Sequence, residues 1–195
     1  MIATRRIVAI GGAGALLAIA LGMIVHGTGT EGWSAATRWT ARWSVIPFAL
    51  AFAASGLLPR VRGRFRDLLR NRRGLGLSFA LAHGIHAICI VTYFTVSGDP
   101  VPLVAVVGGG IGYALILAMA LTSTDAAQRA LGRNWKRLHT LGIHWVWFVF
   151  FVSYLGRTME PGKMAEGYVG TTVALLALGL RMAARFRRRA EPLAA

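Results

Sequence analysis

The chain has 195 residues, 55% of them hydrophobic, with a mean hydropathy of +0.56 and a formal net charge of +15. That apolar content is too high for an ordinary soluble domain and points to a membrane protein. The charge does not point to nucleic acid, because it is confined to alternate connections between apolar runs.

A helix that crosses a bilayer needs about 20 apolar residues. Six stretches qualify, at 7–26, 43–58, 75–96, 101–121, 138–156 and 166–184. The first follows Arg5 and Arg6 like the core of a secretory leader. It is longer than such a core, and no convincing small-x-small cleavage site precedes the next charged segment, so it reads as a retained span. The second is short, but "WSAATRWTARW" extends it into the interface, with Trp33, Trp39 and Trp43 as an aromatic belt. Pro59 and Pro100 punctuate the ends of spans two and three, and "SGDPVP" (97–102) is a tight outer turn. "TSTDAAQRALGRNW" (122–135) offers Ser123, Thr124 or Asp125 as the N-cap of a short interfacial helix. The basic tail 185–195 is expected to fray or lie on the membrane surface. No internal repeat or low-complexity linker interrupts this order, and residues 1–195 form a single transmembrane domain with no separate soluble domain.

The apolar runs lack a two-residue alternation, and backbone in lipid must satisfy its own hydrogen bonds, so the spans are helices. Arginines 60, 62, 64, 66, 70, 72 and 73 fill one connection, and Arg129, Arg133, Lys136 and Arg137 another. Arg181, Arg185, Arg187, Arg188 and Arg189 close the chain, while the intervening connections are poor in net positive charge. This positive-inside pattern predicts an all-α, six-helix transmembrane bundle in the cell's inner (cytoplasmic) membrane, with both termini cytoplasmic. Most of these arginines are expected to anchor the protein at lipid headgroups.

Two glycine clusters, "GGAGAL" (11–16) and "GGGIGY" (108–113), do not follow a strand in a βαβ unit, as a dinucleotide site requires. Close helix packing through small residues is the expected reason for both. The chain is therefore expected to carry no FAD or NAD site. The single cysteine, Cys89, lies in an apolar run and reads as a small packing residue.

Four of the five histidines, His83, His86, His139 and His144, lie in or at the edge of apolar spans. Polar side chains at that depth are costly and face partners inside the bundle. A proton relay would normally include Asp or Glu in the spans, and a zinc site a carboxylate or thiol. A large apolar cofactor that accepts imidazoles, haem held between two helices, suits the pattern better. His83 and His86, three residues apart, share one face of a helix. His139 and His144, five apart, are about 140° around theirs. Counted from the preceding basic residue at 1.5 Å per residue, His86 lies about 20 Å deep, His144 about 10 Å and His139 about 3 Å. On depth alone His83 pairs best with His144, and His139 is shallow. His26, at the outer end of span one, reads as an interfacial residue. The run "WVWFVFFVSY" (145–154) reads as lipid-facing bulk and packing around a porphyrin rather than as an electron conduit.

Three segments, "RRGLGLSFALAHGIH" (72–86), "LTS" (121–123) and "LGRNWKRLH" (131–139), resemble the ferric-reductase-like transmembrane domain family. Within it they are most similar to the haem-binding membrane subunits that partner a periplasmic methionine sulfoxide reductase. The similarity runs from about Trp43 to Arg157. It implies a membrane cytochrome with haem b passing single electrons across the bilayer, and it carries His86 and His139 onto the family's haem histidines. The family's second fifth-span histidine would fall at position 152, which is Val152 here, while His83 and His144 are extra. One haem is expected on that ground, with two still open, and His144 or a pairing with His83 stands in for the missing ligand. Arg72 and Arg73 lie where they could meet haem propionates, with headgroup anchoring as the alternative.

The resulting expectation is an electron-transfer subunit with bis-histidine haem, which leaves iron no open position. A cytoplasmic flavin reductase or a quinol would donate electrons, and a periplasmic reductase, ferric iron or a quinone would accept them. The rival readings are a haem-free scaffold or small transporter with structural histidines, and a cytochrome b serving quinone within the membrane.

Overall fold

The protein is described by a computed structural model covering residues 3–190, with side chains through 187. Among these residues the order is α1 (Thr4–His26), α2 (Thr30–Leu57), α3 (Gly63–Arg70), α4 (Arg72–Ser97), α5 (Gly110–Leu121), α6 (Asp125–Leu131), α7 (Arg133–Arg157) and α8 (Met164–Ala190), with no strand. A 3-10 turn, Leu58–Arg60, follows α2, and a π-turn, Ala105–Gly109, leads into α5. Five helices are long and apolar enough to span a membrane. The count reaches six when α5 with its π-turn is joined to α6, which bends away by 106°. The protein is thus an all-α, multi-pass membrane bundle. Residues 185–190 continue α8, and the rest of the expected tail lies outside the described residues.

Small residues set how closely the helices approach. Ile7, Gly11, Ala15, Ala18 and Gly22 recur every three or four positions and form the buried stripe of α1 against α2 and α4. A Cβ on Gly11 would lie 2.9 Å from the Ser78 carbonyl oxygen, so α1 and α4 approach backbone to backbone there. Trp43 closes the same seam by donating its indole N–H to the Gly11 carbonyl at 2.9 Å. This belt tryptophan is therefore also a packing residue.

The second glycine cluster departs from expectation. Nothing lies within 4 Å of a Cβ built on Gly108, Gly109 or Gly110, and only Gly112 meets a neighbour, Trp145 at 3.8 Å. The segment winds as a π-turn, and its use is backbone exposure: the Gly108 carbonyl accepts the Trp145 indole N–H at 3.3 Å.

The basic connection after α2 also differs, because part of it is helical. Phe65, Leu68 and Leu69 recur at helical spacing among the arginines, and α3 buries Leu69 completely beside Ile7, Ala54 and Leu75. Asn71 then caps α4, accepting from the Gly74 N–H at 2.9 Å and from the Thr4 hydroxyl at 3.2 Å. Gly98, at φ 72°, ends α4 in the left-handed conformation just ahead of Pro100. Thr124 caps α6 as expected, accepting from the Ala127 N–H at 3.0 Å.

These contacts fix which helix ends lie together. Thr4, Asn71, Arg73 and Asp125 meet at one end, where Arg181 of α8 also donates to the Phe52 carbonyl. At the other end the Glu166 carboxylate takes two hydrogen bonds from the Arg42 guanidinium, and Arg157 lies 3.8 Å away. The connections 60–73 and 122–137 thus share the first end, called the basic end below.

Candidate haem site between α4 and α7

Helix α4 packs on α1 and α2, and α7 packs on α5 and α8. The two meet mainly through side chains that fill the space between them. Phe48 of α2 lies 5.1 Å from Phe79 of α4 and 5.3 Å from Phe150 of α7, ring centre to ring centre. Toward the basic end this filling stops and a cavity of about 580 Å³ opens. Ligand sites typically fall between roughly 300 and 1,000 Å³. Its apolar wall includes Phe48, Phe79, Ile116 and Ile143, and its mouth carries Arg72, Arg73, Lys136 and Arg181. His139 stands in the wall.

The predicted histidines separate into two settings. His83 and His86 lie together on α4, 4.9 Å apart between ring centres. Each is held by a hydroxyl of α2: Thr40 Oγ1 is 3.1 Å from His86 Nδ1, and Ser44 Oγ is 2.9 Å from His83 Nδ1. Both hydroxyl-bearing residues are fully buried, and His86 is 8% exposed. The hydroxyl protons are already committed. Thr40 donates to the Ala36 carbonyl at 2.7 Å, and Ser44 to the Ala41 carbonyl at 2.8 Å. A hydroxyl has one proton, so toward the imidazoles both oxygens act as acceptors, and both rings carry their proton on Nδ1. That leaves the lone pair on Nε2 of His83 and of His86, and the Thr37 backbone also hydrogen-bonds His86. Phe79, Tyr113 and Phe150 surround the His83 ring at 5.1, 5.1 and 5.4 Å.

On α7 the arrangement is mixed. His144 donates from Nδ1 to the Thr140 carbonyl at 2.6 Å and meets the Phe52 ring edge-on at 5.6 Å, so its Nε2 is also the lone-pair nitrogen. His139 is the opposite case. The Thr122 hydroxyl donates to the Ala118 carbonyl at 2.7 Å and so accepts from His139 Nε2–H at 3.1 Å. Trp135 stacks on the His139 ring at 4.1 Å and ties itself to the Thr122 carbonyl.

The expected depth order is preserved. Arg72 and Arg73 line the cavity together with Trp135 and Lys136, and Ala80 with Ile143. His139 is therefore two to three turns nearer the basic end than His86, and His144 is the α7 histidine nearest in height to His83. Val152, at the position where the resemblance led one to expect a histidine, is 41% exposed. His26 contacts the Trp39 ring edge-on at 6.0 Å. The aromatic run divides by helical face: Trp147 and Phe150 join the core, and Phe148 is half exposed.

Sequence reading overlooked three residues of this region. Thr40 and Ser44 are four apart, the hydroxyl counterpart of the histidine spacing, and that repeat within a span was the available signal. Arg181 sat among the tail arginines, but its guanidinium covers the Phe52 ring at 4.7 Å and faces the cavity.

His139 in an apolar cavity with guanidinium groups at its mouth suits an iron porphyrin bearing carboxylates, and the imidazoles of His83, His86 and His144 lie outside that lining. Comparison with known proteins gives several similar chains. The chain is 32% identical over 155 residues to the "Protein-methionine-sulfoxide reductase heme-binding subunit MsrQ" of Salmonella enteritidis PT4, covering 72% of this chain and 73% of that one. The subunit of the same name from Salmonella arizonae is also 32% identical over 155 residues, covering 72% and 75%. That from Salmonella paratyphi B is 32% identical over 148 residues, covering 68% and 71%. No family model matches the chain, and no solved structure does.

Proposed function

Because the chain belongs to the family of protein-methionine-sulfoxide reductase haem-binding subunits, we propose that it is a membrane b-type cytochrome that relays electrons across the bilayer. The carrying observation is the cavity between α4 and α7, with His139 in its wall and Arg72 and Arg73 at its mouth, while His83, His86 and His144 lie outside its lining. The residues that would hold one haem b are His86 or His83 from α4 and His139 or His144 from α7. Arg72 and Arg73 would meet the propionates. When bound, haem supplies a reversible one-electron ferric/ferrous couple.

The chain's own residues supply the rest. The phenylalanine layer of Phe48, Phe79 and Phe150 keeps water from the interior and lowers the local dielectric. The hydroxyls of Thr40 and Ser44 hold the imidazole protons on Nδ1. The guanidiniums at the basic end neutralise carboxylates that would be costly to bury unpaired. Both termini and the basic end face the cytoplasm, and the membrane is the inner membrane, following the positive-inside rule. Electrons enter there from a flavin reductase or a quinol and leave at the Arg42–Glu166 end to a partner reductase.

A reduced-minus-oxidised visible spectrum of the purified protein tests this. A sharp α-band is expected, lost in His86→Ala and weakened in His139→Ala. A protein that folds fully, supplied with haem, and stays colourless overturns the proposal. The rival scaffold reading draws on the hydrogen-bond partner that each of the four histidines has within the chain, and that colourless outcome would favour it.

A further inference from the structure

We propose that Arg181 of α8 anchors an oxyanion site in the cavity, taking the phosphate or carboxylate of an amphipathic ligand. The inference concerns the cavity described above but requires neither a metal nor a histidine, so it stands or falls apart from the haem reading. Arg181 lies within the span Met164–Arg187. Long cationic side chains near the end of a span ordinarily reach outward to the interface. This one turns inward instead. It donates to the Phe52 carbonyl at 3.1 Å, and its guanidinium carbon lies 4.7 Å over the Phe52 ring. Phe52 is fully buried, and its separation from Leu57, the last residue of α2, puts the contact about 8 Å inside that helix end.

Among the described residues this charge has no counter-ion. Arg181 forms no ion pair, and the charges acting on it are Arg72 of α4 and Arg185 one turn along α8, both positive. Of the described residues lining the cavity, Arg72, Arg73, Lys136 and Arg181 meet a single carboxylate, Asp125, which Arg73 already holds at 2.9 Å. An uncompensated guanidinium at this depth is costly, and an anion drawn into the cavity removes that cost. Phosphate and carboxylate both match the planar guanidinium fork. The apolar wall of Phe48, Phe79, Ile116 and Ile143 suits the hydrocarbon body behind such a group. Two sources carry this chemistry: an anionic phospholipid from the leaflet at the basic end, and a porphyrin carboxylate.

The test uses the whole chain in neutral detergent with metal-free probes. Native mass spectrometry compares retention of phosphatidylglycerol and phosphatidylcholine. Fluorescence titration compares protoporphyrin IX with its dimethyl ester, in which both carboxylates are masked. One charge-assisted contact gives roughly a ten- to hundredfold gain in affinity. Wild type is expected to prefer the anionic member of at least one pair by about that factor, and the pair that shows it identifies the source. Arg181→Gln keeps a donor for the Phe52 carbonyl but no charge. It is expected to lose most of the preference and to bind the neutral member as wild type does. A purely structural tie between α2 and α8 would instead leave the preference in Arg181→Gln untouched, and that result overturns the site. So does a wild type with no preference in either pair. Should Arg181→Gln not fold, Arg181→Lys decides: loss of the fork should reduce the preference several-fold, and a full preference overturns the assignment. A protein that stays colourless with haem but keeps the anion preference removes the haem reading and leaves this site standing.

Discussion

The two ends of the space between α4 and α7 treat imidazole in opposite ways. At the inner end, hydroxyls hold His83 and His86 by Nδ1, and aromatic rings surround His83. At the basic end His139 is held by Nε2, stacked on Trp135 and open to an apolar cavity with a charged mouth. One residue type thus serves as a preset donor in one place and as a tied group in the other. The difference lies not in the histidines but in where a neighbouring helix offers a hydroxyl whose proton is already taken. A ligand bond to His86 costs no rearrangement of its hydrogen bond, whereas a bond to His139 Nε2 requires Thr122 to let go.

The largest effect expected from breaking that contrast is at the inner end. His86→Ala should reduce haem per protein by more than the roughly 10–100-fold that loss of an outer partner costs, read from the pyridine haemochrome spectrum. Equal retention in His86→Ala and wild type would move the ligand elsewhere. Next is the packing that holds α4 in register. Gly11→Val sets a branched side chain against Ser78 and should cost about 1–3 kcal/mol, lowering the unfolding midpoint in detergent. Gly108→Ala, with open space around it, should leave that midpoint nearly unchanged, so similar losses at the two sites would contradict the packing described.

A smaller effect sharpens the comparison at the basic end. Thr122→Val removes the hydroxyl that holds His139 and frees Nε2 at the expense of one hydrogen bond, worth about 0.5–1.5 kcal/mol. If His139 ligates through Nε2, haem titration of the apoprotein should show tighter binding by roughly two- to tenfold. Weaker binding would mean that the Thr122 contact supports the site instead. The smallest effect belongs to the Arg73–Asp125 pair, 2.9 Å long with both side chains substantially exposed. Asp125→Asn should change stability by no more than about 1 kcal/mol, and raising the salt concentration should erase the change.

Much of the architecture could be read along the chain. Helical spans follow from run length because lipid offers the backbone no hydrogen bonds, and the alternation of charge orders the connections. The capping of α6 by Thr124 and the ending of α4 before Pro100 were equally local matters. The helix α3 was hidden because arginines dominate its composition, and only Leu69 meeting α1, α2 and α4 shows why it forms. The glycine clusters looked alike in sequence, yet one is a packing seam and the other a π-turn, since only the presence of a neighbour distinguishes them.

Sequence by itself determined that the chain is a helical membrane protein with four histidines at span depth and a basic end. Run length, charge and residue spacing are properties of single segments, and the bilayer acts on each segment separately. Tertiary structure decided which nitrogen of each imidazole is left with a lone pair, that Thr40 and Ser44 govern two of them, and that Arg181 reaches the cavity. Except for His144, held within α7 by the Thr140 carbonyl, those outcomes depend on contacts between α2 and α4, α5 and α7, and α2 and α8. A hydroxyl accepts from an imidazole only where its own proton has found a carbonyl and another helix brings the ring within about 3 Å.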